Sequence, residues 1–229
     1  MSDTLDKGGR LLVNGVELLA DLSGALVWPA RRLAVVADLH FEKGTAYADR
    51  GQFLPPYDTA ATLDKLEQVI ARHRVERLIC LGDSFHDAAA AGRLDPAQGQ
   101  RLKGLTSGLD WTWIAGNHDP APPEHWGGTV AGEITEGALT FRHEAEAASR
   151  GGEVSGHFHP KAAVRIRGKR VTAPCFVTDG RRLLLPAFGA FTGGLNVLDP
   201  AIAGLFGKGF QVTLLGRNGL FAFPKKALV

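Results

Sequence analysis

The sequence predicts an α/β protein: a two-sheet β-sandwich flanked by helices, in an αββα arrangement, folded as a single domain over residues 1–229. Three observations predict it. Short apolar runs rich in β-branched residues alternate with helix-periodic segments through the first half of the chain. After Gly127, strand-like runs follow one another with no helical period between them. Polar residues of the metal-ligating kind stand at the ends of several runs, where open α/β sheets place their sites.

The elements follow in chain order. The first ten residues read as frayed. Residues 11–28 are short apolar segments broken at Asn14-Gly15 and Ser23-Gly24, two hairpin turn signals. Residues 33–37 (LAVVA) read as a buried strand. Residues 58–74 carry Ala61, Leu63, Leu66, Val69 and Ile70 at helical spacing, with Asp58 as the expected N-cap. Residues 77–81 (RLICL) give a second strand, residues 96–109 a helix diluted by Gly99 and Gly104, and residues 110–115 a third strand. Strand-like runs then fall at 129–134, 138–142, 153–155, 163–166, 170–177, 181–185 and 210–215.

Composition narrows the class. Of 229 residues, 45% are hydrophobic and 22% charged, which excludes a disordered, collagen-like or coiled-coil chain. Lys plus Arg is 26 against 24 Asp plus Glu, so net charge does not announce a nucleic-acid partner. Two cysteines are too few for a disulfide scaffold, and Cys80 in its apolar run reads as a buried thiol. Residues 1–10 carry acids and do not read as a signal peptide. No run approaches the ~20 apolar residues of a membrane helix. The expectation is a cytoplasmic protein with no membrane partner.

The chemistry lies at the strand ends. The first strand closes in Ala37-Asp38-Leu39-His40, the second in Gly82-Asp83-Ser84-Phe85-His86-Asp87, and the third in Gly116-Asn117-His118-Asp119. Later come Phe141-Arg142-His143-Glu144 and Gly156-His157-Phe158-His159. A lone Asp-x-His or Gly-Asp after a strand is an ordinary turn. In Gly-His-Phe-His the two imidazoles stand two residues apart, so a strand turns both to one side. Five such groups in one chain, each after a strand, have no structural purpose in common. Carboxylates, imidazoles and an amide oxygen suit Mn²⁺, Fe²⁺ or Zn²⁺ rather than an all-oxygen Ca²⁺ site. The groups are more than one ion needs beside a substrate, so two divalent ions are implied. Such a pair clamps the attacking and leaving oxygens of a phosphoryl displacement and yields hydroxide near neutral pH.

The order Asp-x-His, Gly-Asp-x-x-His, Gly-Asn-His-Asp, His and Gly-His-x-His resembles the calcineurin-like metallophosphoesterase superfamily. The fuller strings Ala-Asp-Leu-His-Phe-Glu-Lys-Gly and Gly-Asp-Ser-Phe-His-Asp resemble a narrower group, the ligase-associated DNA damage response endonucleases of PdeM type. The resemblance implies that Asp38, His40 and His159 hold one ion, that Asn117, His143 and His157 hold the other, and that Asp83 bridges them, with Mn²⁺ the first choice of metal. It implies a metal-bridging hydroxide as nucleophile and His118 as the group that stabilises or protonates the leaving oxygen, with Asp119 holding the His118 ring oriented and charged. It also implies a DNA substrate and a repair setting with ligase and helicase partners. His86 reads as a plain loop residue, a substrate contact or an outer partner of the site, and Glu144 and Asp87 are candidate outer partners.

Charge elsewhere bears on the substrate. Arg165, Arg167, Lys169, Arg170, Arg181 and Arg182 lie close together in sequence. They read either as a solvated hairpin face or as a phosphate-contact surface beside the metals, which makes Arg165, Arg167, Lys169 and Arg170 candidate substrate-binding residues. Arg93, Arg101 and Lys103 carry the same ambiguity. Phe41, Phe85 and Phe158 read as core packing or as stacking platforms. His73 and His125 match no motif and read as solvent-facing. The leading expectation is a metal-dependent DNA endonuclease. The alternative is a phosphodiesterase or phosphatase for a small nucleotide or phosphorylated metabolite. A scaffold without activity would have no need of a filled ligand set.

Overall fold

The computed structural model describes residues 9–48, 57–87, 89–120, 124–146, 151–207 and 209–229. The frayed start, up to residue 8, lies outside them. The first sheet contains β1 (Arg10–Val13), β2 (Val16–Ala20), β3 (Leu26–Trp28), β4 (Leu33–Val36), β5 (Arg77–Leu81), β6 (Asp110–Ile114) and β7 (Thr129–Ala131), side by side in that order. β1 to β4 pair antiparallel, and β4 to β7 pair parallel. The Asn14-Gly15 turn closes the first hairpin with both residues at positive φ, as a two-residue loop of that kind requires. The connections that parallel strands require carry α1 (Lys43–Ala48) and α2 (Asp58–His73) between β4 and β5, then α3 (Ala90–Arg93) and α4 (Pro96–Gly108) between β5 and β6.

The second sheet contains β8 (Glu133–Glu136), β9 (Leu139–Arg142), β10 (Gly152–Ser155), β11 (Lys161–Ile166), β12 (Lys169–Thr178), β13 (Arg182–Leu184), β14 (Gln211–Leu215) and β15 (Leu220–Pro224). Its order is β15-β14-β12-β13-β10-β9-β8, with β11 paired only to the outer part of β12. The single strand expected over 129–134 is two: β7 closes the first sheet, and after Gly132 β8 opens the second. Both pieces have strand character, and only tertiary pairing assigns them to different sheets.

Alternation along the strands builds three apolar layers. Val35, Ile79, Leu81 and Ile114 face Phe141, Val154, Phe176 and Leu183 between the sheets. The opposite faces, with Val36, Leu78, Cys80, Trp111 and Trp113, pack on Leu63, Leu66, Val69 and Leu102 of α2 and α4. Full burial of each such side chain contributes roughly 1.5–3 kcal/mol. The outer face of the second sheet lies under Val197, Ile202, Phe206 and Phe210. The helical layer on that side is therefore thin: one four-residue helix, α5 (Pro200–Ala203), and the segments around it. Cys80 and Cys175 are both free and buried, and burial pushes each thiol pKa up.

Some local expectations change. Asp58 is the first residue of α2 rather than its cap, and its Oδ2 accepts the Gly44 N–H at 2.9 Å, at the start of α1. His73 is not solvent-facing: its Nε2 lies 2.7 Å from Asp21 Oδ2, with the side chain 17% exposed. His125 is exposed and packs its ring on Trp126.

Candidate metal centre

The sheets meet at the end of the sandwich where β4, β5, β6, β9 and β10 finish. A bridge from Ala37 to Ala187 joins them there. The chain beyond these strands turns sharply. Asp38, His40, Asp83, His157 and His159 all have φ between +45° and +70°. A non-glycine residue in this left-handed region costs of order 1–3 kcal/mol, and such residues persist only where their surroundings over-determine them. Here they do. His40 N–H donates to Asp83 O (2.9 Å), Phe41 N–H to Ser84 O (2.8 Å), Gly156 N–H to His143 O (2.9 Å) and Gly189 N–H to Asp38 O (3.1 Å). The His157 N–H donates to the Asp38 carboxylate at 3.0 Å. The loops are stitched to one another rather than to solvent.

This stitching gathers two groups of side chains. The donor atoms of Asp38, His40 and His159 lie within 4.8 Å of one another, and so do those of Asp83, His143 and His157. In the first group His40 Nε2 and His159 Nε2 are 3.3 Å apart, and His159 Nε2 is 3.5 Å from Asp38 Oδ1. In the second, His143 Nδ1 is 2.8 Å from Leu81 O, which assigns its proton to Nδ1. His143 Nε2 then presents a bare lone pair. That lone pair meets Asn117 Oδ1 at 2.9 Å, His157 Nδ1 at 3.1 Å and Asp83 Oδ2 at 3.5 Å. Acceptors converging on acceptors repel unless a proton or a cation lies between them, so the donor set fits a divalent ion. Asp38 Oδ1 is also 3.9 Å from His143 Nδ1, so the groups adjoin. Burial, reinforced by the charges of His159 and Lys43, lowers the His40 pKa to about 2 and keeps the ring neutral, the form a ligand needs.

His118 stands at the rim. It and Asn117 are exposed. Its N–H donates to Asp83 Oδ1 (2.9 Å), and its Nδ1 lies 3.1 Å from the His86 carbonyl. The His86 ring stacks on it at 5.8 Å and 18°. Asp119 does not hold this ring, contrary to the reading of Gly-Asn-His-Asp. Its Oδ2 instead accepts the N–H groups of Ser84 (3.0 Å) and Phe85 (3.1 Å), which fixes the turn that carries Asp83. Burial raises the Asp119 pKa to about 7 against those two hydrogen bonds. Gly116 makes this crossing possible, since a Cβ there would lie 2.2 Å from Asp83 N.

The remaining candidates divide. Glu144 Oε1 is 3.8 Å from His157 Nε2, within reach of an outer role. Asp87 is held by Arg93 at 2.8 Å, away from any candidate ligand. Arg101 pairs with Asp64 and Glu67, Lys103 lies over Trp126, and Arg182 is buried against Glu153 at 2.8 Å; all three are structural. Phe41 and Phe85 are core, each 1% exposed, and Phe158 packs on His157. Arg165, Arg167, Lys169 and Arg170 stand exposed at the far end of the β11–β12 hairpin. At a rise of about 3.3 Å per residue, six residues carry that tip roughly 20 Å from Lys161, so the cluster does not lie beside the centre. Sequence reasoning missed Glu42. It is buried at φ +64°, and its carboxylate takes the hydroxyls of Thr45 and Thr59 at 2.8 Å each, tying α1 to α2 under the centre. Its place beside Lys43, two residues after His40, was the available signal.

The profile of the calcineurin-like phosphoesterases matches residues 31–168, a span that contains every candidate ligand. Among solved structures, a nuclease MPE of Pseudomonas putida is 31% identical, with a TM-score of 0.72 over 93% of this chain and 98% of that one. The Yfce phosphoesterase of E. coli aligns at 14% identity and TM-score 0.42 over 83% of this chain and 97% of its own. No curated protein matches.

Proposed function

As the chain belongs to the calcineurin-like phosphoesterase family, we propose that it is a two-metal phosphodiesterase that cleaves DNA. The observation that carries the reading is the convergence of lone pairs on His143 Nε2 beside the Asp38–His40–His159 group. In this reading Asp38, His40 and His159 hold one ion, Asn117, His143 and His157 the other, and Asp83 serves both. Manganese is the ion that we assign, on the resemblance of the motifs, with Fe²⁺ and Zn²⁺ the alternatives that the imidazole donors allow. Two ions held there would supply an activated water and would neutralise charge on the phosphoryl oxygens.

The chain's own groups do the rest. The His86 carbonyl accepts the Nδ1–H of His118, so the imidazolium form presents its Nε2–H to the leaving oxygen, and once that proton is given the ring is left neutral with its remaining proton on Nδ1. Asp119 keeps the Asp83 turn rigid through the two backbone N–H groups it binds, so Asp83 is presented without reorganisation. The exposed Asn117 and His118 leave the centre open to a polymer. The likeness to a nuclease supports DNA over a small metabolite. The repair role with ligase and helicase partners rests on the resemblance of the Ala37–Gly44 and Gly82–Asp87 strings.

The test is hydrolysis by Mn²⁺-loaded protein of bis-p-nitrophenyl phosphate, p-nitrophenyl phosphate, and single-stranded and duplex DNA, beside His118→Ala. The reading expects cleavage of the diester and of DNA, with both slowed at least ~10²-fold in the variant. A variant as fast as its parent removes His118 from the chemistry. Cleavage of p-nitrophenyl phosphate alone overturns the phosphodiesterase.

A further inference from the structure

The segment that follows β13 is anchored to the centre at both of its ends. Phe188 N–H donates to Ala37 O (2.8 Å) and Gly189 N–H to Asp38 O (3.1 Å); six residues on, Leu195 N–H donates to His159 O (3.2 Å). Lys65 adds a hydrogen bond to the Phe188 carbonyl and lies 4.0 Å over its ring. The approach at Gly189 is so close that a Cβ there would sit 2.1 Å from Leu39 O. Residues 190–194 thus arch between the backbones of two candidate ligands of one ion. On this arch stands Phe191, 49% exposed and at φ +56°. A bulky residue in the left-handed region is a genuine outlier, and here it displays an aromatic ring to solvent with no core to fill.

One ammonium group lies beside the arch, and a second lies within its electrostatic reach. Lys161 lays its stem along Gly194 and brings Nζ to 3.5 Å from Thr192 O. Lys43, the residue after Glu42, is half-buried within electrostatic reach of both Lys161 and His40. Among the described residues neither lysine makes a salt bridge, and the Asp58 carboxylate, whose Oδ2 accepts the Gly44 N–H, acts on Lys43 only at longer range. Two like charges within electrostatic reach of each other favour an anion, even with Asp58 offsetting part of the charge of Lys43. An exposed aromatic face beside them favours a base.

We propose that Lys43, Lys161 and Phe191 form a nucleotide subsite flanking the Asp38–His40–His159 group, in which the two ammonium groups take the phosphate next to the scissile one and the Phe191 ring stacks on its base. The subsite rests on the nucleic-acid reading above and adds to it the residues that select a nucleotide chain over a small diester. It sits at the root of β11, not at the basic tip of that hairpin.

The test measures binding of a labelled oligothymidylate by fluorescence anisotropy in the His118→Ala background, and its cleavage in the parent background. Phe191→Ala should weaken binding and raise KM by roughly ten-fold, with kcat changed less, and Phe191→Trp should restore both. On the same oligomer built with abasic positions, Phe191→Ala and the parent should bind alike, a result that a merely structural role for the ring would not give. Lys43→Ala and Lys161→Ala should each lower the slope of log Kd against log salt by about 0.7, whereas Lys169→Ala at the far end of the β11–β12 hairpin should not. Phe191→Gly relieves the backbone and should fold while binding as weakly as Phe191→Ala. If the parent cleaves both bis-p-nitrophenyl phosphate and the oligomer, and all these variants bind and cleave the oligomer as the parent does, the subsite is wrong and the nuclease stands. If the parent cleaves the small diester and neither binds nor cleaves the oligomer, the nucleic-acid reading fails and takes the subsite with it.

Discussion

The loops that end β4, β5, β6, β9 and β10 and the tip of the β11–β12 hairpin both crowd polar residues into a few positions, yet they are held in opposite ways. In the loops, Asp38, His40, Asp83, His157 and His159 sit in left-handed backbone fixed by hydrogen bonds from neighbouring loops. At the tip, Arg167 also has left-handed backbone (φ +49°), but there it only forms, with Gly168, the two-residue turn that closes the hairpin; Arg165, Lys169 and Arg170 flank it, exposed, with one long contact from Arg170 Nη2 to Val229 O at 3.5 Å. The difference teaches that density of charge along a sequence does not mark a site. Strain held by cross-loop bonds does, because a fold keeps an unfavourable backbone only where other contacts impose it.

The comparison breaks most readily at Asp83. Asp83→Ala should lower diester hydrolysis about 10³-fold, ~4 kcal/mol of transition-state stabilisation, at saturating Mn²⁺. A folded variant that retains a tenth of parental activity would put the ligand groups on a level with the hairpin tip. The next effect separates rigidity from stability. Gly116→Ala places a Cβ 2.2 Å from Asp83 N, whereas at Gly168, φ +79° on the hairpin tip, nothing lies within 4 Å. Each should cost about 1–2 kcal/mol in urea denaturation, the first by overpacking and the second by left-handed strain. Only Gly116→Ala should lower activity, by roughly 10²-fold through displacement of Asp83. Equal activity losses in the two variants would sink the distinction.

These positions also show what the sequence made legible. The ligand residues stood out because each follows a strand, and strand ends are readable from local period. Which neighbours they touch was not. Asp119 follows His118 in sequence, but the sharp turn sends its carboxylate to Ser84 and Phe85. The run from Thr129 to Ile134 has continuous strand character, and its division between two sheets depends on partners distant in the chain. The basic run from Arg165 to Arg182 mixes a buried Arg182, paired with Glu153, with an exposed tip, and a one-dimensional count cannot tell these apart. Phe191 matched no motif, and its significance lies in a backbone angle that no composition reveals.

A smaller effect sharpens the comparison from the hairpin side. Arg167→Ala combined with Lys169→Ala should change DNA cleavage by no more than about two-fold, as for surface substitutions away from a site. A loss matching that of Lys43→Ala would move the nucleic-acid path to the tip. The smallest effect is a pH term at Asp21, which belongs to neither region. Burial raises the Asp21 pKa, but hydrogen bonds from His73, Ser23 and Arg72 outweigh it and bring it to about 2, below the ordinary 3.8. A carboxylate depressed in the folded state contributes stability that is fully present above its unfolded pKa and is lost as pH falls through the folded one. Stability should therefore decline between pH 4 and pH 2, and Asp21→Asn should flatten that part of the curve in chemical denaturation. An unchanged slope would show that the Asp21 cluster is not formed.

The central claim is that two adjoining groups of converging lone pairs are built for two cations. Its most direct measurement is the number of Mn²⁺ ions bound per chain by isothermal titration, read for the parent, His118→Ala and Asp83→Ala. The account predicts two for the parent, two for His118→Ala, and weakened binding of both in Asp83→Ala. One ion or none in the folded parent would contradict it.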